Sequence, residues 1–331
     1  RRRPGITARC PARSRPNLTV WTESQVERLI FETAPDGAQR CVGATVRRGG
    51  DAVAVRASRE VVLSAGAIGS PQILLLSGVG PAEHLKAQGI DVVLDAPGVG
   101  GNLQDHLQIR AIYKVTGALT LNALAGNLVG KARIGLEYVL RRSGPMSMAP
   151  SQLGAFTRSD PSQPYANLEY HVQPLSLDAF GEGLHRFPAI TASVCNLNPT
   201  SRGNVRLRSN RFDDAPAIAP NYLSTDEDRL IAAESLRQVR WILAQPALAG
   251  HGGRESAASA SAQTDLEIEQ FIRGYADTIY HPVGSCRMGS SASDVVDAQL
   301  RVHGVQSLRV VDGSIMPSIV GGNTNAPIIA I

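Results

Sequence analysis

Near the end of the chain, one side chain stands out as able to take a proton. His281 precedes Pro282, and a following proline biases the histidine out of the helical region, so its imidazole stands on a fixed bend. Histidine has an ordinary pKa close to neutrality, which suits a fixed imidazole to accepting a proton from a hydroxyl. A lone His-Pro is more often a structural loop histidine, and it is the ordered series around this one that favours the proton-accepting reading. Downstream, Asp312-Gly313 follows the apolar stretch Leu308 to Val311, read as a strand, and open parallel sheets bind ligands beyond the carboxyl ends of their strands. Asn323, Thr324 and Asn325 then precede Pro327 and an apolar run, which is a helix-start pattern.

The elements that must position these residues can be read in order. Residues 1–16 are basic and contain proline, so they are predicted to be an exposed tail. Strand character at Leu18 to Trp21 and Val26 to Phe31, the Pro-Asp-Gly turn at 35–37, and a second hairpin over Cys41 to Val55 predict an antiparallel excursion between parallel strands. Glu60 to Gly80 reads as strand, turn and helix, with Ser70 as helix cap and Pro71 at the first helical position. A short helix over Pro81 to Gln88, stopped by Gly89, leads to a strand at Ile90 to Leu94.

From Leu107 the pattern changes. Strands at Ile109 to Val115, Ala155 to Thr157, Leu168 to Val172, Ile190 to Leu197 and Val205 to Leu207 predict an antiparallel sheet. Helices at Leu121 to Arg141, Thr225 to Gln245 and Asp265 to Arg273 are expected on one face of it, with a Ser/Ala-rich linker at 256–262. The fold class is therefore α/β (α+β), organised as 17–106, 107–274 and a return over 275–331.

Composition narrows the function classes. The 331 residues are 43% hydrophobic and 19% charged, an ordinary globular balance with room for a sizeable core. The net charge is +4, and Arg1, Arg2 and Arg3 supply much of it, so no nucleic-acid stripe is indicated. Cys10, Cys41, Cys195 and Cys286 are scattered without Cys-x-x-Cys spacing, which indicates neither a metal site nor a disulfide framework and fits a reducing, cytoplasmic setting. Val61 to Ala82 is uncharged over a length that could span a bilayer. Its glycines, Pro71 and Gln72 break it, so no transmembrane segment is expected.

Four fragments in order carry a family likeness. His281-Pro-Val-Gly-Ser-Cys-Arg-Met-Gly289, Leu300-Arg-Val-His-Gly304, Leu308-Arg-Val-Val-Asp-Gly-Ser-Ile-Met-Pro317 and Gly322-Asn-Thr-Asn-Ala-Pro327 resemble the C-terminal signature of the glucose-methanol-choline (GMC) oxidoreductases. The match is close to their choline dehydrogenase-like branch, with Ser285 where threonine is more usual. Gly66 to Gly80 resembles the family's second signature, Val99 to His106 its loop lying against the cofactor, and Pro199 to Val205 its Pro-x-Ser-Arg-Gly strand.

The resemblance implies a partial Rossmann-like FAD-binding domain over 17–106 and 275–331, with an antiparallel-sheet substrate domain between. It implies oxidation of a CH–OH donor, choline or another primary alcohol, to the carbonyl, with hydride delivered to flavin N5. His281 is then the base, and Asn323 the residue that hydrogen-bonds the substrate oxygen. Asp312 and Gly313 are expected near the ribityl-pyrophosphate part of FAD, Val26, Ala65 and Gly66 toward the adenosine, and Tyr280 and Thr324 also at the cofactor. Asn102, Asp105 and His106 could lie against the cofactor with the Val99 to His106 loop or equally be turn residues bonding their own backbone, and are left out of the catalytic set. Arg202 is read as structural, and His171, on an alternating strand from which it could face the cavity, as a satisfied half-buried histidine. Tyr165, Tyr170 and Phe180 are the candidates for an aromatic cage around a cationic substrate.

The electron acceptor is expected to be a quinone or electron-transfer chain, or oxygen, and the location cytoplasmic or peripheral to the inner membrane. An oxygen-using oxidase and a hydroxynitrile lyase are the family alternatives. No Gly-x-Gly-x-x-Gly occurs in the chain, although such a motif binds the FAD pyrophosphate in the family. The sequence alone therefore reads as a C-terminal part of a GMC pattern, expected to be inert by itself, which is the non-enzyme alternative.

Overall fold

Alternating burial along Ser24–Thr33 and Gln39–Arg48 pairs these strands antiparallel around the turn at Asp36-Gly37, where Gly37 takes φ +82°. Asp51–Arg56 adds the next hairpin through Gly49 and Gly50. The computed structural model describes residues 11–178 and 181–331. Arg1, Arg2, Arg3, Cys10 and Phe180 lie outside them.

Leu18 to Trp21 does not form a strand. It is exposed, Glu23 breaks the extended path at φ +54°, and Trp21 instead lies under the Arg48 guanidinium, 4.6 Å away.

The parallel part of this half is built from short pairs. Val61–Leu63 lies beside Leu308–Val310, Gln39–Arg40 beside Val305–Gln306, and Val79–Gly80 beside Leu94–Asp95. Only Leu94 of the expected Ile90 to Leu94 strand pairs, because the Gly78 carbonyl takes the N–H groups of both Val93 and Leu94 and sets the chain at a bend.

The helix after Val61–Leu63 begins at Gly66 and runs to Leu76, with Pro71 inside it. Ser70 does not cap it: its hydroxyl accepts from the Ala65 N–H at 3.0 Å and donates to Asp312 Oδ2 at 2.6 Å. The interior proline is tolerated because the Ala67 carbonyl, which residue 71 would ordinarily bond, accepts from the Ser285 hydroxyl at 2.5 Å.

The second half centres on a six-stranded sheet in which Leu107–Lys114, Ala189–Asn196, Leu168–Gln173 and Leu153–Thr157 run antiparallel in that spatial order. One face carries Ile109, Ala111, Tyr113, Leu168, Tyr170, Ala192 and Val194, and packs on the helices Asp226–Leu243 and Asp265–Tyr275. Both helices are capped by threonine, Thr225 and Thr264, the latter in a capping box with Glu267. The period-2 alternation puts Gln108, Arg110, Glu169, His171, Gln173, Thr191 and Ser193 on the opposite face, where all but His171 are buried.

Three expectations about this half are corrected. The helix read over Leu121 to Arg141 is two, Leu121–Leu124 and Leu128–Arg141, because Asn127 caps the second by accepting from the Gly130 N–H at 2.8 Å. Asn204–Arg206 stays out of the main sheet and pairs with Ala217–Ala219. The 256–262 stretch is not a free linker: Arg254–Glu255 joins the sheet edge, Ala257–Ala260 is helical, and Arg240 donates to the Ser259 and Ala262 carbonyls.

A separate apolar cluster, from Leu29 through Leu74, Leu85 and Val99 to Cys286, Val296 and Ile315, holds the first half and the returning C-terminal stretch together. Among the described residues no helix is long and apolar enough to cross a membrane.

Candidate active site

His281 is placed by the loop that precedes the sheet. Asn102 to Gln108 runs alongside 277–284: Gln104 and Val283 exchange backbone hydrogen bonds at 3.0 and 2.9 Å, and Asp277–Thr278 pairs with Gln108 and Leu107. Gly284 at φ +88° permits this approach, since a Cβ there would lie 2.7 Å from the Asn102 carbonyl oxygen. Tyr280, also left-handed at φ +64°, turns the chain so that His281 points back, and Thr278 Oγ1 accepts its N–H at 2.8 Å.

Asp105, 6% exposed, is the anchor of this turn. Its Oδ1 accepts the His281 N–H at 2.9 Å, and its Oδ2 accepts from both the Tyr222 and Thr278 hydroxyls. Burial pushes the Tyr222 phenol up, so it stays a donor.

The imidazoles of His281 and His106 meet edge to face, Nδ1 to Nδ1 at 3.0 Å. His106 Nε2 lies 3.1 Å from the Leu197 carbonyl oxygen at the end of Ala189–Asn196. On its other side His281 Nε2 is 3.4 Å from Asn323 Nδ2. Burial lowers the His281 pKa, against an opposing pull from the negative charges of Asp105 and Glu169.

These two side chains open on a cleft of ≈ 410 Å³ whose lining includes Tyr280, Gln108, His171 and Gln173. His171 Nε2 is 3.3 Å from Glu169 Oε1. Of the aromatics considered for a cation cage, Tyr170 faces the helices in the other core and Tyr165 is exposed; neither lines this cleft.

The expected cofactor residues gather only in part. Asp312 Oδ2 accepts the Gly66 N–H at 2.9 Å and the Ser70 hydroxyl, while its Oδ1 takes the Ser314 N–H, so Ala65, Gly66, Asp312 and Gly313 form one knot at the carboxyl ends of two neighbouring parallel strands. The loop from His281 continues into it: Gly284, Cys286 and Met288 donate to the Gly313, Ser314 and Ile315 carbonyls. Thr324 is buried at the start of Asn325–Ala330 without a capping side-chain bond. Val26 stands apart, opposite Val46 on the first hairpin.

A flavin dinucleotide fits the knot on two observations. Gly66 takes φ +82° and faces open space where a Cβ would stand. It also begins an eleven-residue helix whose N-cap residue, Ala65, offers no side-chain bond; the Gly66 N–H is held by Asp312, and the later N–H groups of the first turn, which have no intrahelical partners, are the donors an anion uses.

Asp105 and His106 are the members of this arrangement that sequence reasoning passed over. Their signal was the adjacency of two polar, chemically capable residues in one loop. Arg202 donates to the Pro199 and Ser201 carbonyls, holding its own turn.

The fold that brings His281 and Asn323 to one cleft is similar to that of a solved FAD-dependent oxidoreductase. The N-terminal family model for GMC oxidoreductase matches residues 7–108 and the C-terminal one residues 199–331. The chain belongs to the GMC oxidoreductase family.

It is 43% identical to the mitochondrial choline dehydrogenase of Homo sapiens over 97% of this chain and 53% of that protein. It is 40% identical to oxygen-dependent choline dehydrogenase 1 of Chromohalobacter salexigens, over 97% of this chain and 56% of the relative. The chain thus spans about half the length of these curated relatives. Among solved structures, pyridoxine 4-oxidase from Mesorbium loti superposes with TM-score 0.81 at 30% identity, covering 96% of this chain and 57% of that one. An FAD-dependent oxidoreductase from Chaetomium thermophilum gives 0.83 at 26%, covering 96% and 61%.

Proposed function

We propose that this protein takes part in the FAD-dependent oxidation of an alcohol, choline or another primary alcohol, to the carbonyl compound. The observation that carries the reading is His281 Nε2 facing Asn323 Nδ2 across 3.4 Å at the cleft. A substrate hydroxyl placed there accepts from the Asn323 amide and gives its proton to His281 Nε2, with its carbon held in one orientation by the same two contacts.

FAD, when bound, supplies the hydride acceptor. Ala65, Gly66, Asp312 and Gly313 would hold it, with Val26, Tyr280 and Thr324 as further contacts. The names of the choline dehydrogenase relatives favour choline as substrate. The names of the oxygen-dependent relative and of the pyridoxine oxidase favour oxygen over a quinone or electron-transfer chain as final acceptor. Buried free thiols at Cys41, Cys195 and Cys286 favour a cytoplasmic setting, with contact to the inner membrane only if a quinone is the acceptor.

Anaerobic flavin reduction by alcohol in the FAD-loaded protein tests the reading. His281→Ala should slow it by about a hundredfold or more with FAD still bound, and Asn323→Ala should slow it less. Reduction of the His281 variant at the wild-type rate would overturn the assignment.

A further inference from the structure

Which ring nitrogen of His281 is free to act as a base is decided by a residue outside the proposed catalytic pair. His106 Nε2 faces the Leu197 carbonyl at 3.1 Å. A carbonyl only accepts, so that nitrogen carries a proton. Burial pushes the His106 pKa down to about 4, so near neutrality the ring holds a single proton and its Nδ1 is bare. His281 Nδ1 stands 3.0 Å from that bare nitrogen. Two lone pairs at this distance would repel, so His281 Nδ1 carries a hydrogen and donates. A neutral His281 then keeps its lone pair on Nε2, the nitrogen that faces Asn323. An imidazole free in water prefers the opposite arrangement, with the proton on Nε2, which could not accept from a substrate hydroxyl.

We propose that His106 is a positioning residue that locks His281 into the Nδ1–H tautomer and so presents Nε2 to the cleft as the proton acceptor. The proposal rests on the reading of His281 as base. Once Nε2 has taken a proton, His281 is a cation. Its Nδ1–H bond to neutral His106 becomes charge-assisted, and the negative charges of Asp105 and Glu169 oppose the repulsion from His171. The second-layer bond thus serves the reaction at both stages, as partners of metal-bound histidines do when they fix a tautomer.

The test is long-range ¹H–¹⁵N NMR of the full chain labelled at histidine, near neutral pH. The expected spectrum shows a pyridine-like Nε2 and a pyrrole-like Nδ1 for His281, the reverse for His106, and a ¹⁵N–¹⁵N coupling between the two Nδ1 atoms. A pyrrole-like His281 Nε2 in the wild type overturns the proposal without any variant. His106→Leu should shift His281 toward the Nε2–H form and, in the FAD-loaded protein, slow flavin reduction by about tenfold or more. His106→Asn, which returns an acceptor oxygen near the Nδ1 position, should restore the Nδ1–H signature and most of the rate.

If His106→Leu fails to fold, the wild-type spectrum and His106→Asn decide. A His281 tautomer unchanged in the leucine variant also overturns the proposal. Should the spectra behave as expected while His281→Ala reduces flavin at full rate, the base assignment fails and the positioning contact stands.

Discussion

Ser285 and Pro71 act on the same atom. Pro71 has no N–H to give the Ala67 carbonyl one turn earlier in its helix, and the Ser285 hydroxyl takes that role from 2.5 Å away. A helix of the first core is thereby tied to the loop that begins at His281. Ser285→Ala should destabilise the protein by about 1–3 kcal/mol, the usual penalty for an orphaned buried acceptor. In a Pro71→Ala background the new N–H can reach Ala67, so the serine loss should cost clearly less there. Denaturant unfolding of the four proteins of this double-mutant cycle measures the coupling; strictly additive effects would show that the two residues do not share the carbonyl.

Acid should unfold this protein partly through His106. Its folded pKa of about 4 lies below the ordinary 6.5 because of burial. Between those values the unfolded chain binds a proton that the folded one refuses. The contribution is therefore fully present above pH 6.5 and is lost as pH falls toward 4, on the order of 3 kcal/mol in all. Unfolding free energies across that range should fall less steeply for His106→Asn than for wild type, and parallel slopes would count against it.

The pH dependence of turnover should report His281 from its acidic side. Burial lowers its pKa, so the neutral, proton-accepting form persists below the ordinary histidine value. The acidic limb of kcat/KM should then have its midpoint under 6.5, with a plateau toward neutrality. A midpoint above 6.5 would mean that the carboxylates of Asp105 and Glu169 outweigh burial.

Asp105→Asn should be more damaging than a loop position suggests. The carboxylate accepts the His281 N–H and two hydroxyls, and an amide would turn a donor toward groups that are themselves donors. A loss of about 2–4 kcal/mol in stability is expected for a buried network broken in this way. A drop in flavin reduction in whatever fraction remains folded should accompany it, because the His281 backbone is no longer held. Thermal unfolding and single-turnover reduction check the two parts separately.

Much of the layout was legible because it repeats local rules. The hairpins up to Arg56, the threonine-capped helices and the alternating strands follow turn chemistry and periodicity, and the ordered motifs pointed to His281 and Asn323 before any distance was known. What stayed hidden depends on partners remote in sequence. Pro71 looked like a helix start because the hydroxyl that excuses it sits at residue 285. Asp105 and His106 looked like ordinary turn residues because their partners are supplied by Tyr222, Thr278, His281 and Leu197. Leu18 to Trp21 had strand composition and no strand to pair with.

The carbonyl that fixes His106 belongs to the main chain at Leu197, and this distributes genetic risk unevenly. Any amino acid at 197 still brings the oxygen, so missense changes there are screened only by packing, in a site where the leucine is 1% exposed. A single codon change at 106 or 281 instead deletes one of the two rings outright. In a saturation-mutagenesis survey, apolar replacements at 197 close in volume to leucine should be tolerated, while positions 106 and 281, together with Asp105, stand out as intolerant.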